Sequence, residues 1–168
     1  MHSYTLRSLP ARGVSRALAK AEQYRALNEP EDAESICRDV LALEPSLQPA
    51  LVLLGLSLTD QFPKAGARLL DEAVAVFQRL VGEYERAYYV GIAWERSAKA
   101  HHDGGQVRLA AHGFERALSF FEQAIALADP DVPDPVLRWN TCVRALHGDE
   151  ALRAALGPRP EPAYDVGD

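Results

Sequence analysis

VSRALAKAEQYRALNEPEDAESICRDVLALEP, residues 14–45, decides the fold of this chain. Leu18, Ala21 and Tyr24 fall on one helical stripe, Ala33, Cys37 and Val40 fall on a second, and Pro45 closes the unit. Apolar residues spaced by three and four predict two short helices, and small side chains among large ones let them zip together antiparallel. The spacing places them over about 14–27 and 30–43. Asn28 tolerates a left-handed turn conformation, and Pro30 suits a first helical turn, where a missing N–H costs nothing. Such a hairpin cannot bury its own outer face, so it must stack on a neighbour.

The pattern continues outward. Ser46 is a candidate cap for the next helix, in which Leu51, Leu54, Gly55 and Leu58 repeat the same spacing. Gly55 falls 34 residues after Ala21, an offset that marks a repeat rather than a generic bundle. A connection over Asp60 to Lys64 then contains Phe62-Pro63, and the stripe Leu69, Ala73, Phe77 and Leu80 comes late relative to the first unit, ended by Gly82. The next helix carries Ala87, Gly91, Trp94 and Ala98. Asp103-Gly104-Gly105 interrupts it, because two glycines permit positive φ and neither favours helix. Val107, Phe114 and Phe121 follow at intervals of seven, with Ala110, Ala117 and Ala124 as a second series, so this hairpin has helices roughly 30 Å long. The proline-rich run 129–135 stops it, and helices over Val136 to Leu146 and Glu150 to Leu156 are expected next. Residues 1–13 read as an N-terminal extension, 14–156 as one helical domain, and 157–168 as a disordered tail.

Composition bounds the rest. A chain of 168 residues, 48% apolar and poor in alternating strand formers, suits one all-α domain or a short solenoid. A net charge of −6 and a pI near 5.4 argue against a nucleic-acid partner, since phosphate contacts need clustered Lys and Arg. Cys37 and Cys142 sit inside helical patterns and read as buried thiols rather than a disulfide. No run is long and apolar enough to span a bilayer, and Met1 to Arg12 has no signal-peptide core, so a cytoplasmic protein with no membrane partner is expected.

With these residues in place, the chain resembles the tetratricopeptide repeat family over about residues 14 to 156. Ala21, Tyr24, Ala33, Cys37, Val40 and Pro45 fill the family's small, aromatic, alanine and closing-proline positions in the first unit. Leu51, Leu54, Gly55 and Leu58, then Ala73, Phe77 and Leu80, fit a second unit, and Gly91, Trp94, Ala117, Phe121 and Ala124 fit a third. A fourth begins around Trp139-Asn140-Thr141-Cys142. The resemblance implies a right-handed stack of antiparallel helix hairpins, about 3.5 to 4 repeats with lengthened second and third units, acting as a scaffold or adaptor for another protein.

The inward positions of such a stack would be Leu18, Glu22 and Arg25, then Val52, Leu56 and Thr59, then Tyr88, Ile92 and Glu95. Some family members clamp acidic tails with lysines, an arginine and asparagines on the inner helices, and this apolar and acidic set does not match that clamp. Leu18, Val52, Leu56, Tyr88 and Ile92 read instead as an apolar floor with Glu22, Arg25 and Glu95 as its rim, suited to an apolar or basic peptide or helix. The same residues could equally pack adjacent repeats.

Other readings compete. Phe114, Phe121 and the neighbouring alanines could join copies of the chain into a homo-oligomer. His101-His102-Asp103 is the nearest approach to a metal-dependent active site, but adjacent histidines on a helix end point apart, and an exposed terminus explains them. With no nucleophile motif or phosphate loop, the sequence predicts a non-enzyme with no metal and no cofactor.

Overall fold

The computed structural model describes residues 4–66 and 68–157. Among these residues the protein is all-α, without a strand. The tail expected to be disordered lies, beyond Gly157, outside the described residues, as do residues 1–3. A 3-10 turn over Ala11–Gly13 leads into α1 (Val14–Ala26), which pairs with α2 (Pro30–Leu43). Asn28 closes α1 at φ 60°, where its N–H donates to the Arg25 carbonyl and the Glu29 N–H to that of Tyr24. This is the left-handed cap that satisfies orphan carbonyls at a helix end. Pro30 opens α2, and Glu31 and Asp32 complement its N-terminal dipole.

Next come α3 (Gln48–Asp60), the single turn α4 (Phe62–Ala65) and α5 (Arg68–Phe77). Ser46 does not cap α3: the residue before the helix is Leu47, and Ser46 contributes its carbonyl to the Gln48 side-chain amide. The expected connection at Phe62-Pro63 is itself helical, since a proline in a first turn gives up no hydrogen bond. Gly82 does not end the preceding helix, which stops at Phe77. It stands in extended conformation immediately before α6.

The long hairpin is α6 (Glu83–Asp103) with α7 (Val107–Leu127), each 21 residues and so about 30 Å. Gly105, at φ 74°, turns the chain between them. α8 (Asp134–Gly148) and α9 (Glu150–Leu156) complete the described chain.

Small residues set the close approaches. A Cβ on Gly55 would overlap the Phe77 ring, one on Gly91 would lie 2.7 Å from Phe121, and one on Gly113 would lie 2.9 Å from the Ala98 methyl. Packing runs between helices near in sequence: α1 on α2 and α3, α3 on α5 and α6, α6 on α7 and α8, and α7 on α8 and α9. Two apolar clusters result, one centred on α1 to α5 and one on α6 to α9, with Leu56, Tyr89 and Trp94 against both. Cys37 and Cys142 are buried, one in each cluster, and unpaired. Phe114 and Phe121, offered above as contacts between copies, are core residues at 2% and 0% exposure.

Candidate functional site

α1, α3, α6 and α8 contact one another in chain order, and the nine inward positions named above lie on the first three. Leu18, Val52, Leu56 and Tyr88 are half-buried, packed on the core by one side and open on the other. Glu22 is exposed. Three positions are not available to a ligand: Thr59, Ile92 and Glu95 are 2%, 3% and 0% exposed. Glu95, expected at a polar rim, is therefore an internal charge.

That charge is matched. Lys99, one turn on, donates to Glu95, and the Arg138 guanidinium of α8 lies 3.5 Å from both of its carboxylate oxygens. An unpaired carboxylate in such a place would cost several kcal/mol of desolvation. Every buried side-chain nitrogen and oxygen among the described residues has a hydrogen-bond partner.

Arg25 is half-buried because it reaches across to α3, where its Nε donates to Asp60 at 2.8 Å. The other oxygen of Asp60 takes a short bond from Arg96 on α6, which also donates to the Thr59 hydroxyl at 2.6 Å. One carboxylate thus holds two guanidiniums from two helices. Burial, with repulsion from Arg25 and Arg138, draws the Arg96 guanidinium below its ordinary pKa, against the pull of Asp60. Asp60, Arg96 and Arg138 were missed by periodicity, yet Arg25, Asp60 and Arg96 stand 35 and 36 residues apart. Charges alternating in sign at a nearly constant offset were the available signal.

An aromatic row runs along the start of α6. Tyr84 stacks on Tyr88 at 5.7 Å, Tyr88 meets Tyr89 edge-on at 5.2 Å, and Tyr89 stacks on Phe77 at 5.3 Å. Loss of solvent, then the nearby Tyr88 and Asp134, push the Tyr84 phenol up to about 12. Trp94 is half-buried: Arg116 lies 5.3 Å over its ring and His112 meets it edge-on.

The histidine pair separates as its helical spacing requires. His101 bonds the Gln106 side chain, and His102 bonds Asp149 at 2.9 Å, while Asp149 also accepts the Leu152 N–H at the start of α9. Among the described residues no three His, Cys, Asp or Glu side chains converge on a common point. None of the described helices is long and apolar enough to cross a membrane. Compared with known proteins, the chain matches no family model and no curated protein.

Proposed function

We propose that the protein is a non-catalytic helical-repeat adaptor of tetratricopeptide type, holding an apolar segment of a partner protein against α1, α3 and α6. The observation that carries this reading is a recurring offset in its polar contacts. Arg38 to Glu72, Arg79 to the Pro45 carbonyl, the Val81 N–H to Gln48, Arg25 to Asp60 and Arg96 to Thr59 all join residues 33 to 37 positions apart. These contacts join the first three helix pairs in order, which supports reading them as stacked repeats, whereas the contacts from α6 to α8 and to the start of α9 span 43 and 47 residues. The face it would present is Leu18, Val52, Leu56, Tyr84 and Tyr88, half-buried side chains that keep area for a ligand. An apolar segment fits this face better than a basic one, because Glu95 is already neutralised by Lys99 and Arg138. No cofactor enters this reading, and the setting it assumes is cytoplasmic.

A photo-crosslinking amino acid in place of Tyr88, with an equivalent replacement of exposed Ala75 on α5 as control, tests it in cells. Adducts to a discrete protein from position 88 alone are the expected result. Equal adducts from both positions, or none from 88, sink the proposal.

A second reading, self-association, draws support from the C-terminal end. There Leu118, Trp139, Val143, Leu146 and Leu156 line a space of about 440 Å³, and Val136 and Leu137 are 43% and 59% exposed. Light scattering across a dilution series distinguishes the two.

A further inference from the structure

Residues 1–21 contain none of the 24 acidic side chains, and their side-chain charges are Arg7, Arg12, Arg16 and Lys20, in a protein whose net charge is −6. Among the described residues none of these four forms an ion pair; the closest polar contact is a 3.5 Å bond from Lys20 to Gln23, with the Lys20 ammonium 5.5 Å over the Tyr24 ring. Elsewhere Arg25, Arg38, Arg86, Arg96, Lys99 and Arg138 each meet a carboxylate, while other cations such as Arg68 and Arg108 stand apart from one another in sequence, without an ion pair among the described residues. The charge at the N-terminal edge is thus concentrated in sequence and, among the described residues, makes no ion pair.

It also borders a groove. The segment leading into α1 folds beside that helix and leaves an open space of about 720 Å³, floored by Leu9, Pro10 and Ala17 and walled by Arg12, Arg16 and Lys20. The three cations are exposed; Arg16 and Lys20 stand about one turn, roughly 6 Å, apart on α1, and Arg12 precedes them from the 3-10 turn. A partner helix carrying carboxylates four residues apart presents charges at the same interval, with its apolar side chains turned to the floor.

We propose that this edge is a docking site for an acidic amphipathic helix of a partner protein, distinct from the face of α1, α3 and α6. The half-buried Leu9 and Ala17 of the floor suit a row of side chains, and the exposed Tyr4 and Leu6 of the leading segment make a membrane the competing ligand to test. A nucleic-acid backbone passing the edge would meet Asp39 of α2, which lines a space with Arg7 and Leu9.

The test is fluorescence anisotropy of the full chain with a labelled synthetic helical peptide of leucine and glutamate, glutamates four apart, and the same peptide with glutamine. Phosphatidylserine vesicles and a single-stranded RNA oligomer are the competing probes. Reversing Arg12→Glu, Arg16→Glu and Lys20→Glu together is expected to weaken the glutamate peptide at least about tenfold, as three exposed ion pairs would. Reversal of exposed Lys64, Arg68 and Arg108 leaves it unchanged, and thermal melting by circular dichroism confirms that both variants fold. Raising salt from about 50 to about 300 mM weakens the wild-type complex in the same way. Equal binding of the glutamate and glutamine peptides, or equal effects of the two reversals, overturns the proposal. Tighter binding of vesicles or RNA than of the peptide, lost in the same triple variant, overturns it in favour of that ligand.

Discussion

Phe121 lies across Gly91 so closely that a methyl group on the glycine would stand 2.7 Å from its ring, and Phe77 covers Gly55 more tightly still. Both rings are fully buried, so neither can swing aside into solvent. Gly91→Ala is expected to cost about 2 kcal/mol through overpacking. Adding Phe121→Leu should return part of that loss, because the two residues share one space. Urea denaturation of the single and double variants measures the coupling, and additive losses would show that the ring does not set the requirement for glycine.

Asp60 is the only carboxylate between Arg25 and Arg96 in the contacts of the described residues, so removing its charge leaves two guanidiniums facing one another. Asp60→Asn is expected to cost about 1–2 kcal/mol. Arg25→Met in the Asn background should then restore stability rather than lower it further. A double-mutant cycle at low salt reads this sign directly.

The buried carboxylate of Glu95 and its two cations are unequal partners. Lys99 and Arg138 keep 46% and 35% of their side-chain surface in water and can turn outward, whereas Glu95 has none. Losing both cations in Lys99→Met with Arg138→Met is therefore expected to cost about 3 kcal/mol. Glu95→Gln should cost at most about 1.5 kcal/mol, since a neutral amide is left in place and the freed cations can hydrate. Chemical denaturation ranks the two variants, and the reverse order would contradict the asymmetry.

At the C-terminal end, the hydrogen bond from His102, then the backbone N–H groups at the start of α9, hold the Asp149 carboxyl below its ordinary range. A depressed folded-state value means that the contribution of Asp149 is complete above the unfolded carboxylate pKa and lost as pH falls through the folded one. Hydrogen exchange in α9 should accelerate in acid before exchange in α6 does. In His102→Ala the onset should move to higher pH, because Asp149 is then less depressed. An unchanged onset would show that the histidine does not govern this end.

Burial pushes the Cys37 thiol up to about 11, against the pull of Arg25, and burial with the nearby Glu95 pushes the Cys142 thiol up to about 12, against Lys99 and Arg138. The thiolate is the reactive form, so neither cysteine should react with a disulfide reagent at pH 8 in the native protein. Both should react as the chain unfolds, and stopped-flow labelling across a denaturant series compares the two halves of the core.

Much of this architecture was written in local spacing. Stripes such as Leu18, Ala21 and Tyr24 announce a helix because its period is short, and Asn28 and Gly105 mark the turns their backbones now make. Phe62-Pro63 was misleading because proline breaks a helix only beyond its first turn, and the buried Phe62 ring anchors α4 to the core. The candidate face was legible in part. Periodicity gives the direction of Leu18, Val52 and Tyr88 from a helix axis but not how far the next helix covers a stripe. Ile92, Thr59 and Glu95 are closed off by neighbouring helices, and the cation that reaches Glu95 across helices comes from 43 residues downstream. The basic edge escaped a reading of the chain as a whole, because a negative total conceals where its positive charges gather.

The restriction of packing to helices near in sequence bears on how the protein is made. No long stretch of chain must be searched to close any of the principal interfaces, so the topology favours rapid folding. α1 and α2 can meet as soon as both have left the ribosome, and each later helix finds its docking surface waiting. The contacts thus permit assembly in the order of translation, with each new apolar face meeting a partner already made.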